Sequence, residues 1–123
     1  MGYKCELYNY RQSTYDDFES NDAFEMRGLT FVYDGSTWRK FFALNKFFNL
    51  NEVPTCEYSD LRDQKILYTQ EKLDGSLVSF IQFPNGSILA KSKMSFESDQ
   101  AIMAQGIYES SENLRTFVNK MME

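Results

Sequence analysis

Leu77-Val78-Ser79-Phe80-Ile81-Gln82-Phe83-Pro84-Asn85-Gly86-Ser87-Ile88-Leu89-Ala90-Lys91 is the stretch that decides the fold. Two short runs rich in β-branched and aromatic residues flank Pro-Asn-Gly, a turn signal, so the stretch predicts an antiparallel hairpin of Leu77 to Phe83 and Ser87 to Lys91. Lys65 to Glu71 reads as a third strand that pairs with it in one sheet. Further upstream, Tyr3 to Tyr10, Phe24 to Tyr33 and Trp38 to Leu44 also read as strands, the last two joined at Asp34-Gly35. A polar loop is expected from the first of these through Asp22. Lys46 to Leu50 is expected to be a short helical turn or irregular, with Pro54 in the loop beyond it. After the hairpin the period changes. Ser98 is placed to cap a helix running through Gln105, with Gly106 just past its end. Leu114, Phe117, Val118 and Met121 then follow the i, i+3, i+4, i+7 spacing of an amphipathic helix. Antiparallel strands followed by helices predict an α+β domain.

A chain of 123 residues suits one domain with a single core, spanning residues 1–123. At 42% hydrophobic and 16% aromatic residues the composition is globular. The net charge of −5 argues against non-specific coating of nucleic acid as the main task. Acidic residues concentrate in three blocks, whereas Lys40, Lys46, Lys72, Lys91 and Lys93 lie among apolar and aromatic neighbours, as a basic cleft requires. With no histidine, Ser/His/Asp and Cys/His catalysis and imidazole metal sites are excluded. Cys5 and Cys56 stand in no metal-ligand spacing and read as reduced thiols. Without an apolar leader or a membrane-length apolar run, the chain is expected in the cytoplasm.

Upstream of the hairpin lies Glu71-Lys72-Leu73-Asp74-Gly75-Ser76-Leu77. A lysine, one spacer, Asp-Gly and a small hydroxyl residue is the order needed if a lysine amine is to attack a nucleotide's α-phosphate. An ordinary lysine is protonated at neutral pH; burial and neighbouring cations free such an amine. The hairpin is expected to bring Lys91 or Lys93 to the same side as Lys72. Gly75 removes a side chain where a nucleotide would approach the backbone. Asp74 and Ser76 offer polar groups to a ribose, to a metal-bound water or to the local turn. Asp-Gly is equally a common turn dipeptide, so these residues by themselves also fit a surface β-turn.

Five segments in order carry a resemblance: Glu25-Met26-Arg27-Gly28-Leu29-Thr30-Phe31, Lys46-Phe47-Phe48-Asn49-Leu50-Asn51-Glu52, Lys72 to Ser79, Lys91-Ser92-Lys93-Met94-Ser95, and Ser98 to Ala104. Together they resemble the phage ATP-dependent RNA ligases of the tRNA-repair type, within the covalent nucleotidyltransferase superfamily, from about Tyr8 onward. The resemblance implies the antiparallel sheet of an ATP-grasp-like ligase nucleotidyltransferase domain. It implies that Lys72 attacks ATP to form a lysyl-adenylate, that AMP passes to a 5′-phosphate RNA end, and that a 3′-hydroxyl, possibly of tRNA, displaces it. It makes Lys72 the nucleophile and gives Tyr8, Arg27, Lys46, Phe48, Asp74, Gly75 and Lys93 to nucleotide binding, with Phe48 against the adenine. ATP and magnesium are implied, the metal held mainly by phosphates, with no protein metal ligand assigned.

The chain departs from that family's pattern after its last helix. The family's later glutamate, second acidic motif and lysine pair are missing, so the domain is expected to be incomplete. Three readings stay open: a fragment weak or inactive alone, one part of a split ligase completed by a second chain, or a nucleotide- or RNA-binding module without transfer.

Overall fold

The computed structural model describes residues 2–123. Its strands form two antiparallel sheets rather than one. In the first, β1 (Cys5–Asn9) and β3 (Trp38–Phe41) flank β2 (Arg27–Tyr33). The central strand is buried at Leu29, Thr30 and Val32, as expected of a strand with neighbours on both edges. The β2–β3 turn is fixed by Asp34, whose carboxylate accepts from the backbone N–H groups of Ser36 and Thr37, both at 2.8 Å. Those donors hold its carboxyl below the usual carboxylate range. The second sheet is the hairpin of β4 (Ser79–Gln82) and β5 (Ile88–Lys91). Phe83 N–H donates to Ser87 across the Pro84-Asn85-Gly86 turn at 2.8 Å, as the sequence predicts.

Lys65 to Glu71, expected as a strand of that sheet, has no strand structure. Ile66, Leu67 and Tyr68 are more than 70% exposed, at 76%, 79% and 73%. The residues favour a strand, but no neighbour lies alongside to complete a ladder, and a strand exists only as a pair.

The sheets are joined through an apolar cluster of Val32 from β2 with Ile81 and Phe83 from the hairpin, edged by Cys5, Phe41 and Phe96. Full burial of such side chains is worth about 1.5–3 kcal/mol each relative to exposure. A second cluster is aromatic and involves α1 (Tyr15–Ser20), a helix in the stretch expected to be loop. Thr14 and Asp17 cap it reciprocally, and its buried Phe18 meets Tyr10 edge-on at 4.8 Å.

Pro54–Cys56 forms one 3-10 turn ahead of the short α2 (Tyr58–Leu61). After the hairpin come α3 (Asp99–Ser110), capped by Ser98, and α4 (Glu112–Met122), capped by Ser111. Gly106 lies inside α3 and not past its end. An exposed glycine is tolerated in a helix at about 1 kcal/mol, and the chain leaves helical geometry only at Ser111. Of the expected apolar stripe of α4, Val118 is buried while Phe117 and Met121 are exposed. Cys5 and Cys56 are both free thiols. Among the described residues no helix is long and apolar enough to cross a membrane.

One α3 side chain completes the hairpin. Gln105 accepts from Ala90 N–H at 2.8 Å and donates to Ile88 C=O at 3.3 Å, satisfying the backbone of β5 as a neighbouring strand would. Gln105→Ala removes both partners, and urea denaturation is expected to show a loss of about 1–2 kcal/mol.

Candidate functional site

Two adjoining cavities meet at Arg27. One, of about 460 Å³, is lined by Arg27, Leu44, Phe47 and the continuous stretch from Lys72 to Leu77. The other, of about 430 Å³, is lined by Arg27, Gly75, Ser76, Leu77, the stretch from Ser92 to Met94, and Gln100. Sharing Arg27, Gly75, Ser76 and Leu77, they form one trough with an apolar end at Leu44, Phe47 and Leu73 and a polar end at Ser92, Lys93 and Gln100.

Arg27 opens β2 and pairs with Asn9 of β1. Its guanidinium lies over the Phe47 ring at 5.0 Å, a contact that orients the cation and is worth about 0.5–1 kcal/mol where exposed. Arg27 Nε is buried with no hydrogen-bond partner, and so is Oδ1 of Asn9 across the strand pair. An unsatisfied buried donor costs about 1–3 kcal/mol, so Arg27 Nε has hydrogen-bonding capacity left over.

Lys72, Leu73, Asp74 and Gly75 lie on an exposed stretch without regular structure. Gly75 has φ +151, which side-chain-bearing residues rarely adopt, although a Cβ there would meet open space. The glycine is therefore needed for backbone shape, and steric room plays no part. Among the described residues Lys72 enters no ion pair.

Lys93 follows β5 inside a tight turn, where both the N–H and the hydroxyl of Ser92 donate to Ser95 C=O at 2.9 and 3.2 Å. Of the two lysines expected beside Lys72, Lys93 lines the trough and Lys91 does not. Lys91 is fully buried, its ammonium donating to the backbone carbonyls of Gly28 at 3.1 Å and Lys93 at 3.2 Å. Burial lowers its pKa and raises that of the neighbouring Cys5 thiol.

The trough thus gathers Arg27, Lys72, Asp74, Gly75 and Lys93. Three other expected nucleotide contacts stand elsewhere. Tyr8 donates its hydroxyl to Glu6 at 2.9 Å, which pushes its pKa up, and meets Phe31 edge-on. Lys46 lies over the rings of Phe48 and Tyr10, at 5.0 and 5.8 Å. Phe48 itself packs against Tyr15, Phe18 and Phe24 in the aromatic cluster. Phe47, which the sequence reading passed over, is the ring that lines the trough. Alternation of side chains along an extended stretch was the available signal: if Lys46 and Phe48 face one way, Phe47 faces the other.

The trough therefore carries three cations against one carboxylate, on a surface with glycine backbone and small hydroxyls. Residues 25–123 match a protein-family model described as RNA ligase, and the chain belongs to that family. Arg27, Lys46, Phe48, Lys72, Asp74, Gly75 and Lys93 fall within the match, and Tyr8 precedes it.

The adjacent phenylalanines should separate in a stability measurement. Phe48→Ala opens the aromatic cluster and is expected to cost about 1–3 kcal/mol in chemical denaturation, whereas Phe47→Ala, at an exposed site, loses no more than the contact with Arg27, under about 1 kcal/mol.

Proposed function

We propose that this RNA ligase family member works by ATP-dependent adenylylation with Lys72 as the nucleophile. The observation that carries the reading is the convergence of Arg27, Lys93, Gly75 and the exposed, unpaired Lys72 on one trough. Neutral Lys72 Nζ attacks the α-phosphorus of ATP, the Nζ–P bond forms, and the bond to the bridging oxygen breaks with release of pyrophosphate. One of the two amine protons passes to solvent and the other stays on Nζ in the phosphoramidate. AMP is then transferred to a 5′-phosphate RNA end, and a 3′-hydroxyl displaces it to seal the strand.

Each end of the trough has a part. Leu44, Phe47 and Leu73 offer the apolar surface that a purine base needs. Arg27 and Lys93 are placed to stabilise charge that develops on the phosphates during transfer. Asp74 and Ser76 offer hydrogen bonds to the ribose. Magnesium accompanying ATP would be held mainly by phosphate oxygens. Asp74 is the carboxylate in the trough nearest in sequence to Lys72, and the described residues form no cluster of three or more metal-ligating side chains.

Two predictions test this. Incubation with α-phosphate-labelled ATP and magnesium is expected to leave acid-labile label on the parent chain and none on Lys72→Ala. Label persisting on Lys72→Ala removes Lys72 from the reaction, and ATP binding with no label on the parent chain turns the reading into binding without transfer. Phe47→Ala is expected to weaken ATP binding by about tenfold, the worth of one good stacking contact, as measured by titration calorimetry; unchanged affinity would move the base away from Phe47.

A further inference from the structure

We infer that Lys91 is a positioning residue: its buried ammonium, bonded to the carbonyls of Gly28 and Lys93, holds the two phosphate-facing cations Arg27 and Lys93 at their separation across the sheets. The inference concerns a residue that touches no ligand, and for its ligand arm it rests on the nucleotide reading of the trough.

Arg27 and Lys93 belong to different sheets. Arg27 starts β2 in the three-stranded sheet, while Lys93 follows β5 of the hairpin. The apolar cluster joins those sheets through Val32, Ile81 and Phe83, but it does not include Arg27, Gly28 or Lys93. A directional tie is found at the site itself. Lys91 Nζ donates to Gly28 C=O at 3.1 Å, one residue from Arg27, and to Lys93 C=O at 3.2 Å. Hydrogen bonds from a charged donor are about twice as strong as neutral ones and demand alignment.

A second, independent feature meets at the same junction. Gly28 has φ +78, and a Cβ there would lie 3.2 Å from Lys93 O and 3.3 Å from Lys93 Cα. The backbones of the two cation-bearing segments therefore touch where side chains would keep them apart. Glycine permits the approach and Lys91 fixes it. A fully buried lysine with carbonyl partners and no carboxylate is a costly arrangement. Apolar residues fill such positions more cheaply unless the ammonium does something that packing does not, and here it ties two backbone carbonyls.

Lys91→Met and Gly28→Ala attack the junction from opposite sides, one keeping the bulk and removing the donor, the other keeping the donor and forcing the backbones apart. For each, affinity for ATP and for adenosine is measured beside the thermal unfolding midpoint. Both variants are expected to lose about tenfold or more in ATP affinity, while binding of adenosine, which carries no phosphate for the two cations to hold, changes by less than about twofold. An equal loss for both ligands, or no loss for either, overturns the inference, since a merely structural role does not distinguish them.

A ligand-free arm measures amine acylation of Lys93 against Lys4 and Lys120 by mass spectrometry. A selective rise at Lys93 in both variants supports the positioning role even if the parent chain binds no ATP, a result that would sink the nucleotide reading alone. A uniform rise at all three lysines, or none, overturns it.

Discussion

Neither sheet of this protein can bury its own apolar face, and the contact between Val32 of β2 and Ile81 and Phe83 of the hairpin is the constraint from which the remaining structure follows. A two-stranded hairpin alone is marginal in water, and a three-stranded sheet still has an apolar face to cover. Pressed together they share one core, and β2, the buried strand of the first sheet, sets where the hairpin lies. The ends of the two sheets then meet at Gly28 and Lys93, where a Cβ would be crowded at 3.2 Å and the φ of +78 favours glycine. The trough opens at this seam. Its cations come from separate sheets because the seam is where separate sheets meet.

The same geometry reconciles a chain of net charge −5 with a cation-lined trough. Charge acts locally in a low-dielectric cleft and is screened over about 8–10 Å in physiological salt. Arg27, Lys72 and Lys93 line the trough with Asp74 as the opposing charge, whereas much of the acidic excess is on α1, on the stretch around α2 and on the two C-terminal helices. The unpaired Nε of Arg27 is part of this arrangement. Its guanidinium is oriented by the Phe47 ring and not by a carboxylate, so the charge is left for an incoming anion.

What the sequence disclosed divides along the range of the interactions involved. The hairpin of β4 and β5 was legible because Pro84-Asn85-Gly86 is a local instruction, and Ser98 marked the start of α3 for the same reason. Residues 65–71 were misread because strand-forming composition carries no information about whether a partner strand lies alongside. The helix α1 was missed because it has six residues and one buried apolar side chain, Phe18, and its capping box uses Asp17 where the common form has a longer acid. Gly106 misled because a glycine signals a helix end only where the next residues cannot stay helical. In the site, Arg27, Lys72, Asp74, Gly75 and Lys93 were picked out by motif and the fold gathers them. Lys46 and Phe48 carry equally clear sequence marks, and their packing with the aromatic cluster is a long-range event that α1 creates and that could not be read without it.

Rigidity is unevenly distributed around the trough, and this bears on how a lysine there would react. Arg27 and Lys93 are anchored beside strands and tied through Lys91. The segment from Lys65 to Leu77, which carries Lys72, contributes no backbone hydrogen bond among the described residues and exposes Ile66, Leu67, Tyr68 and Leu73. Exposed, unladdered segments are the part of a fold with the smallest free energy of local opening. The side of the trough that carries Arg27 and Lys93 is thus held by the sheets, while the side that carries Lys72 would have to be ordered around a ligand. Ordering costs about 1–2 kcal/mol per backbone residue fixed, drawn from binding energy that would otherwise appear as affinity. At position 75 a glycine takes φ +151 without the strain that a side chain would bring. What remains to be fixed is the side chain of Lys72 and the few residues before it, over a distance that anchored phosphates on Arg27 and Lys93 would define.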